Sequence, residues 1–574
     1  MKFNRNNVKL FGIALTIISA VGCEDVIETT PKGQFAEGTL DSESAVDKLV
    51  VAAYQGMAAN FEVGNDDSFA GPANNWIMDC RSDDAYKGGG GIGDRTDIHQ
   101  LEVNTYDPTN YAISQKWKNP LYGIARCNLA INEILRLSSN DYPKTVRIGE
   151  LKFIRAHLHF DLLRNFRYIP YITEMDDPTM VTNMQYSFEE LFGLIEADFQ
   201  EAFDDVPAIQ DQIGRVTKYA AAAYLCKLYL EMAGYGIGDA SQNYQRAIQM
   251  ADFVISGPFG LLQNFSDLST LESENGIESV FAVQYSTANT YANHDWSSLL
   301  NSTTGPGIEA GAYAAGDDFY LGSQNLVNAF KTDVNGLPIF DNFNQGNDVS
   351  NGNFSGNLDP RVDHSFGRLG IPWKALDPIN KVNYDEGWVR SNDYFPGFSS
   401  KKQVVAPDEP LVNQTWPWAA AGLNWQVIRF AEVLLWKAEA LVESGGDLEE
   451  ARRLVNEIRT RARDGQYVQN LAGSANAANY IIGLYPSAGW TQSYAREAVR
   501  FERRLELAME GHRFYDLNRW GITSQVVNQY IMEEADNVIY LQGASFTSGK
   551  HEYLPIPQGE LDLAPSLYAQ NPAF

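Results

Sequence analysis

The chain has 574 residues with 44 Lys+Arg against 73 Asp+Glu, a formal charge of −29, which excludes bulk electrostatic attraction to nucleic acid. With 44% hydrophobic and 20% charged residues it holds enough apolar mass to offset ordering entropy, so it is not a disordered chain. Aromatic residues are the compositional surplus, with 11 Trp, 29 Tyr and 29 Phe, and their placement governs the functional reading.

Residues 1–22 read as a signal peptide. Lys2, Arg5 and Lys9 form a basic n-region, and the apolar stretch from Leu10 to Val21 is far shorter than a bilayer span. Ala20, Val21 and Gly22 lead into Cys23, which resembles the lipobox of bacterial lipoproteins, where the thiol is acylated; two or three acyl chains anchor a protein stably. An ordinary signal peptide with a coincidental cysteine is the alternative. Glu24 and Asp25 resemble the export signal of surface lipoproteins of the Bacteroidetes. The remaining cysteines, Cys80, Cys127 and Cys226, are odd in number and irregularly spaced, so they form neither a disulfide framework nor a zinc site. Cys127 and Cys226 read as small buried hydrophobes, while Cys80 is left open to pair or stay free.

From Asp41 to Gly257 apolar residues recur at three- and four-residue spacing, the helical period. The pattern predicts helices over Ser44–Ala59, Ser114–Leu137, Thr145–Phe166, Ser187–Phe203, Lys218–Gly234 and Tyr244–Ile255, punctuated by Pro143, Pro170, Pro207 and Gly257-Pro258. A late pair runs Ala431–Glu443 and Leu448–Ala462 around Gly445-Gly446. Small residues at Ala233, Ala247, Ala438 and Ala451 sit where closely packed helix pairs need them, a degenerate version of tetratricopeptide units. The expected fold is mainly α: one domain over 23–574, with a helical part (23–260), an irregular segment (261–425) and a second helical part (426–574).

The irregular segment is rich in Gly, Asn, Asp, Ser and Pro yet carries Trp296, Trp373, Trp388, Trp416, Trp418 and Trp425. Disorder is poor in aromatics, so it is read as folded and functional. A second irregular insertion, Asn60 to Asn110, carries Trp76, Asp83-Asp84, Tyr86 and the run Gly88–Gly91.

Catalytic signatures are missing from the sequence. Gly88, Gly90 and Gly93 match GxGxxG, but with no strand expected before them and no helix after, they read as a flexible loop rather than a phosphate cradle. His157 and His159, two apart on a helix, face different directions and cannot share a metal. The sequence holds no HExxH, no GxSxG and no complete EF-hand, since the DVNG at Asp333 lacks further oxygen ligands. No metal or cofactor is expected, although a loop-tightening Ca²⁺ stays open. Carboxylates are too numerous for counting to exclude a glycosidase pair.

Trp117, Trp436 and Trp520 lie in helical patterns and read as core. The loop aromatics are different, because sugar rings stack apolar C–H faces on aromatic planes while nearby Asp, Asn and Arg bind hydroxyls. Trp76 with Asp83, Asp84 and Tyr86, then Trp296, Trp373, Trp388, Arg390 and Tyr394, fit that mixture and are the candidate ligand residues. Each of the tryptophans could instead staple a long loop.

Several segments together resemble one family. LKFIRAHLHFDLLRNFRYIP (Leu151–Pro170), WKNPLYGIARCN with Trp117, Tyr122, Ile124 and Asn128, RFAEVLLWKAEA from Arg429, VNEIRTRA from Val455, ERRLELAMEGHRFYDLNRWG from Glu502 and the C-terminal YLPIPQGELDLAPSLYAQNP resemble, in order, motifs of SusD/RagB outer-membrane nutrient-binding lipoproteins. The apolar stripe through Ala498, Phe501, Leu505, Ala508 and Met509, with Arg503, Arg504, Glu506 and Glu510 off it, describes a packed helix with ion pairs rather than a ligand site. The resemblance implies a SusD-like scaffold containing tetratricopeptide helix pairs, no cofactor and no catalysis. It further implies a cell-surface lipoprotein at the outer membrane that captures an oligo- or polysaccharide and delivers it to a SusC-like TonB-dependent transporter. The net negative charge favours a neutral glycan, which a basic spot such as Lys401-Lys402 could reverse. The alternatives are a peptide-binding receptor of the same family or protein-interaction scaffold and, more remotely, a helical glycoside hydrolase or lyase.

Overall fold

The computed structural model describes residues 42–58, 75–286, 301, 303, 316–350, 352–373, 383–394, 397–402, 404 and 421–574. Cys23 and Trp296 lie outside these, and so do Trp416 and Trp418. The described chain starts at Ser42, whose hydroxyl accepts the Ala45 N–H to cap α1 (Glu43–Gln55). The insertion read as irregular contains α2 (Trp76–Asp79), β1 (Ala85–Gly88) and α3 (Thr96–Glu102), elements too short to leave a period in sequence. Five long helices follow: α4 (Tyr111–Arg136), α5 (Lys144–Phe166), α6 (Phe188–Asp205), α7 (Lys218–Gly234) and α8 (Ala240–Ile255). Their starts are fixed chemically. Asn110, Thr217 and Asp239 each accept a first-turn N–H, and Ser187 with Glu190 forms a reciprocal capping box.

The middle of the chain contributes β2 (Ser279–Val283), β3 (Phe319–Gly322), α9 (Gln324–Ala329), α10 (Arg361–Ser365) and β4 (Phe398–Ser399). The C-terminal part holds β5 (Trp425–Arg429), α11 (Phe430–Glu443), α12 (Leu448–Asp464), α13 (Gln492–Glu506), α14 (Arg513–Arg519), α15 (Thr523–Glu534) and α16 (Gln558–Leu563). The chain is therefore mainly α, and consecutive helices pack as neighbours: α5 on α6, α7 on α8, α11 on α12. Ala247, Ala438 and Ala451 are fully buried at these seams. Gly56 and Gly123 let α1 and α4 approach closely, since a Cβ on Gly56 would meet the Gly123 Cα at 2.8 Å. Phe153 ties α5 to its neighbours through edge-on contacts at 5.0–5.6 Å with Phe281, Tyr224 and Phe199.

Two small antiparallel sheets complete the fold. β2 pairs with β5, Ser279 opposite Arg429 and Val283 opposite Trp425, with irregular register between. β1, β3 and β4 form the other, in which Tyr86 faces Leu321 and Leu321 faces Ser399. This second sheet draws three distant loops to one place.

The helices that carry the family-like motifs are buried with their charges. On α13, Arg503, Arg504 and Glu506 are as buried as the apolar stripe, so the off-stripe face is interior, not solvated. Glu506 sits among Arg361 at 3.1 Å, Arg429 at 3.1 Å and Arg461; Glu502 pairs with Arg361 at 2.6 Å and Arg459 at 2.9 Å. Burial opposes ionisation of Glu506, but Arg461, Arg429 and Arg361 outweigh it and hold its pKa far below the usual carboxylate range. Trp117 and Trp436 are core as expected; Trp520 is half-buried, its indole N–H donating to Glu439 at 2.8 Å. Cys80, Cys127 and Cys226 are all free and buried.

Candidate functional site

The described residues chosen from sequence as ligand contacts are, with one exception, interior. Trp76 is fully buried, 5.5 Å from the Tyr320 ring. Asp83 is clasped by Arg513 through two bonds of 2.8 and 2.9 Å and by Arg504 at 3.0 Å, and Asp84 binds Arg504 at 2.7 Å. Burial works against charge at Asp83, yet Arg504 and Arg513 prevail and hold its carboxyl down at about 2. Tyr86 donates to Glu534 at 2.9 Å and accepts the Gln324 N–H at 3.0 Å. Trp373, Tyr384 and Trp388 form one buried aromatic cluster, the first two stacked at 5.5 Å. Tyr394 lies under Tyr540, ring centres 5.1 Å apart. All seven of these side chains lie in the interior of the structure. A large ring in a long loop is worth more buried than left in water, and the carboxylates are held in the interior by paired arginines from distant segments.

Arg390 is the exception. It is exposed, and its guanidinium bridges Asp317 at 2.9 Å and Asp94 at 3.4 Å while its backbone N–H donates to Asp318 at 2.8 Å. The glycine run beside it also departs from expectation, because β1 precedes it and α3 follows. Its chemistry is still the reverse of a phosphate loop. The carbonyls of Gly88, Gly91 and Asp94 converge on the buried Lys87 ammonium, the first two at 2.8 and 3.0 Å; an anion cradle would turn N–H groups inward. Lys401 and Lys402 are likewise buried and bonded, to the Asp363 carbonyl at 2.7 Å and the Glu506 carbonyl at 2.8 Å, so they form no basic surface spot. His157 and His159 go separate ways, His157 to the Tyr224 hydroxyl and His159 to the Arg155 carbonyl at 3.1 Å. Among the described residues no group of three His, Cys, Asp or Glu could hold a metal.

What the irregular segment offers to solvent lies elsewhere. A recess of about 470 Å³ opens after α9, lined by Lys331, Gln345, Asn347, Asp348, Asn353 and Phe354 and by nearby serines. It combines one half-buried aromatic face, amides and hydroxyls, one cation and one carboxylate. One residue sets its shape. Asn328, fully buried near the end of α9, donates to Asn344 Oδ1 at 2.7 Å and Asp348 Oδ1 at 2.9 Å, and accepts the Val349 N–H at 2.9 Å and the Gln324 amide at 3.1 Å. Both donors and both lone pairs of its amide are engaged, so the 344–349 loop is pinned from beneath. Lys331 donates to the Gln345 carbonyl at 3.3 Å and its Nζ lies 6.0 Å from the Phe354 ring centre. Sequence reasoning selected this segment but not these residues. The signal present was the amide-rich run from Asn342 to Asn357, which carries Phe343 and Phe354.

A second concavity, of about 440 Å³, lies between α1, residues 212–215 and β2, and is more apolar, with Val51, Met57, Ile213 and Tyr285 in its walls.

Comparison with known proteins places this architecture. The profile of the SusD family matches residues 277–574, and a profile described as starch-binding associating with outer membrane matches residues 27–230. The chain is 24% identical to SusD-like protein P2 of Formosa agariphila across 97% of its own length and 98% of that protein's. Among solved structures, a laminarin-binding SusD-like protein superposes with TM-score 0.66 at 23% identity over 93% of this chain and 100% of that one. The surface glycan-binding protein A of Bacteroides thetaiotaomicron, in complex with laminarihexaose, superposes with TM-score 0.68 at 19% identity over 92% of this chain and 99% of the other. Fold, ordered motifs and profile agree, and the chain belongs to the SusD/RagB family.

Proposed function

We propose that the protein is a cell-surface lipoprotein, lipidated at Cys23 and held at the outer membrane, that binds an oligo- or polysaccharide and passes it to a SusC-like TonB-dependent transporter without cleaving it. The observation that carries the binding reading is the recess beside Asn328: one aromatic face for a sugar ring, ringed by amides and hydroxyls that match hydroxyl groups. Asp348 is the only carboxylate among the described residues that line it, whereas glycoside hydrolysis takes two, about 5 to 9.5 Å apart; this favours capture over turnover. Relatives named for laminarin binding and for a laminarihexaose complex make a β-glucan the first probe.

The test is calorimetric titration of the mature chain lacking Cys23 with laminarihexaose and a panel of soluble polysaccharides, with chromatography of the mixture for products. Saturable binding without products, weakened about tenfold or more by Phe354→Ala, is the expected result. Binding that ignores Phe354→Ala would move the site elsewhere. Release of shorter chains would replace the receptor reading with a hydrolase. The more apolar groove at Val51, Met57 and Ile213 supports the second reading, a peptide receptor; binding of a casein hydrolysate but of no glycan would establish it.

A further inference from the structure

We infer that the recess is built for an uncharged glycan and that Asp348 turns acidic ones away; the inference rests on the glycan reading above and names the substrate class of that site. Among the described residues lining the recess only Lys331 and Asp348 carry charge, and they are placed unequally. Lys331 is 7% exposed, its ammonium bonded to the Gln345 carbonyl at 3.3 Å and 6.0 Å from the Phe354 ring centre. The cation therefore stands at the back of the site. Asp348 is exposed, with Oδ1 held by the Asn328 amide at 2.9 Å and no hydrogen bond to Oδ2 among the described residues. The fully engaged amide of Asn328 keeps that carboxylate from swinging aside.

An arriving ligand thus meets an exposed, oriented anion, while the cation beside it is nearly buried. A carboxylate accepts hydrogen bonds and donates none. Sugar hydroxyls can donate to it, whereas a uronate carboxylate or a sulfate ester cannot and adds like-charge repulsion. The chain's formal charge of −29 acts in the same sense at longer range. The remaining recess groups, Gln345, Asn347 and Asn353 among them, are neutral and serve as donor or acceptor alike. At the recess itself, selection against acidic chains falls to Asp348, a repulsive element of the kind that adds specificity beyond attractive contacts.

The discriminating experiment uses matched ligands: each neutral polysaccharide of the panel, laminarin included, and the same polymer oxidised to a carboxylate at C6. Binding is measured on the wild type, Asp348→Asn, Lys331→Met and Phe354→Ala, at low and physiological salt. The wild type is expected to bind a neutral polymer and to bind its oxidised form about tenfold more weakly, with the gap narrowing as salt rises. Asp348→Asn should recover most of that loss while its neutral affinity stays within about threefold. Equal wild-type affinity for the two forms overturns the inference, as does a gap that survives Asp348→Asn. Tighter binding of the oxidised form, abolished by Lys331→Met, makes Lys331 an anion receptor and also overturns it. In each of these cases loss of binding in Phe354→Ala leaves the glycan recess standing. If no polymer of either form binds, the recess reading itself fails and the inference falls with it.

Discussion

Removing the Asn328 side chain tests the idea that the binding surface is held in shape by one buried amide. Asn328→Ala deletes four hydrogen bonds, but the four are not equivalent. Asn344 and Asp348 reach solvent and can rehydrate at little loss. The Val349 N–H and the Gln324 amide are buried, and leaving each without a partner costs about 1–3 kcal/mol. The expected destabilisation is about 2–4 kcal/mol, which for a chain of this size lowers the melting temperature by only about 2–4 °C. The larger effect is local. Hydrogen exchange at Val349 and its neighbours should rise well above the change seen in α5 or α13, and glycan affinity should fall about tenfold as the recess loses its order. Asn328→Asp should be worse than Ala, because it sets a second carboxylate against Asp348 where an amide now donates at 2.9 Å. Asn344→Ala, which removes two bonds of a partly exposed residue, one from the Asn328 amide and one to Glu533, keeps the Val349 and Gln324 bonds and should cost less than Asn328→Ala. Unaltered exchange at Val349 in Asn328→Ala, together with unaltered affinity, refutes the reasoning.

Three further perturbations probe the frame around the site. Glu506→Gln leaves Arg361, Arg429 and Arg461 facing an uncharged amide in the interior and should cost about 3–5 kcal/mol in denaturant unfolding at pH 7; a loss below 1 kcal/mol would show that the network is dispensable. Glu534, pushed up to about 7 by burial against the opposing Tyr86 bond, gives stability that is complete below the ordinary carboxylate range and is lost as pH rises through about 7. Glu534→Gln should therefore match the wild type near pH 4 and exceed it by about 1–3 kcal/mol at pH 8; the same difference at both pH values would contradict that sign. Lys87→Met removes the ammonium from the carbonyls of Gly88, Gly91 and Asp94 and should speed proteolysis and amide exchange across residues 88–94. Lys87→Arg should fail to restore protection, since a planar fork cannot converge on three carbonyls as a tetrahedral ammonium does; full protection in either variant would refute the cage.

The helical half of this architecture was legible because burial imposes a period. Lys218–Gly234 was bounded correctly by Thr217 and the trailing glycine, and the other long helices missed by a few residues at ends set by caps such as Asn110 and Asp239. The sheet of β1, β3 and β4 was not legible. Its strands have two to four residues, and its pairs join Ala85 to Gly322 and Leu321 to Ser399, separations that leave no local trace. The loop aromatics lie in the interior for a different reason. An aromatic ring with acids and an arginine nearby is the composition of a sugar platform, but it is also that of a buried staple such as Trp76 packed against Phe319 and Tyr320. Composition cannot separate the two, because what differs is whether the partner arrives from the protein or from the ligand. Weighting tryptophan above amides led past the Asn342–Asn357 run, where Phe354 stands among amides and serines with Lys331 and Asp348.

The distribution of charge explains how one scaffold can serve a changeable binding surface. Glu278, Glu502, Glu506 and Glu510 engage Arg361, Arg429, Arg459 and Arg461 across β2, β5, α10, α12 and α13. Each such pair tolerates little displacement, since a buried charge without its partner is destabilising by several kcal/mol. Those elements are thereby fixed in one mutual arrangement, whatever the loops contain. The recess depends on none of these pairs. It hangs from α9 through the neutral amide of Asn328, which bonds the Val349 N–H and the Asn344 and Asp348 side chains of the loop and Gln324 on its own helix. Asn347, within that loop, and Asn353, beyond it, face solvent, while Phe354 is half-buried against the edge of the core. Substitutions among them change what the recess can bind while the ion-paired frame, and with it the fold, is left intact.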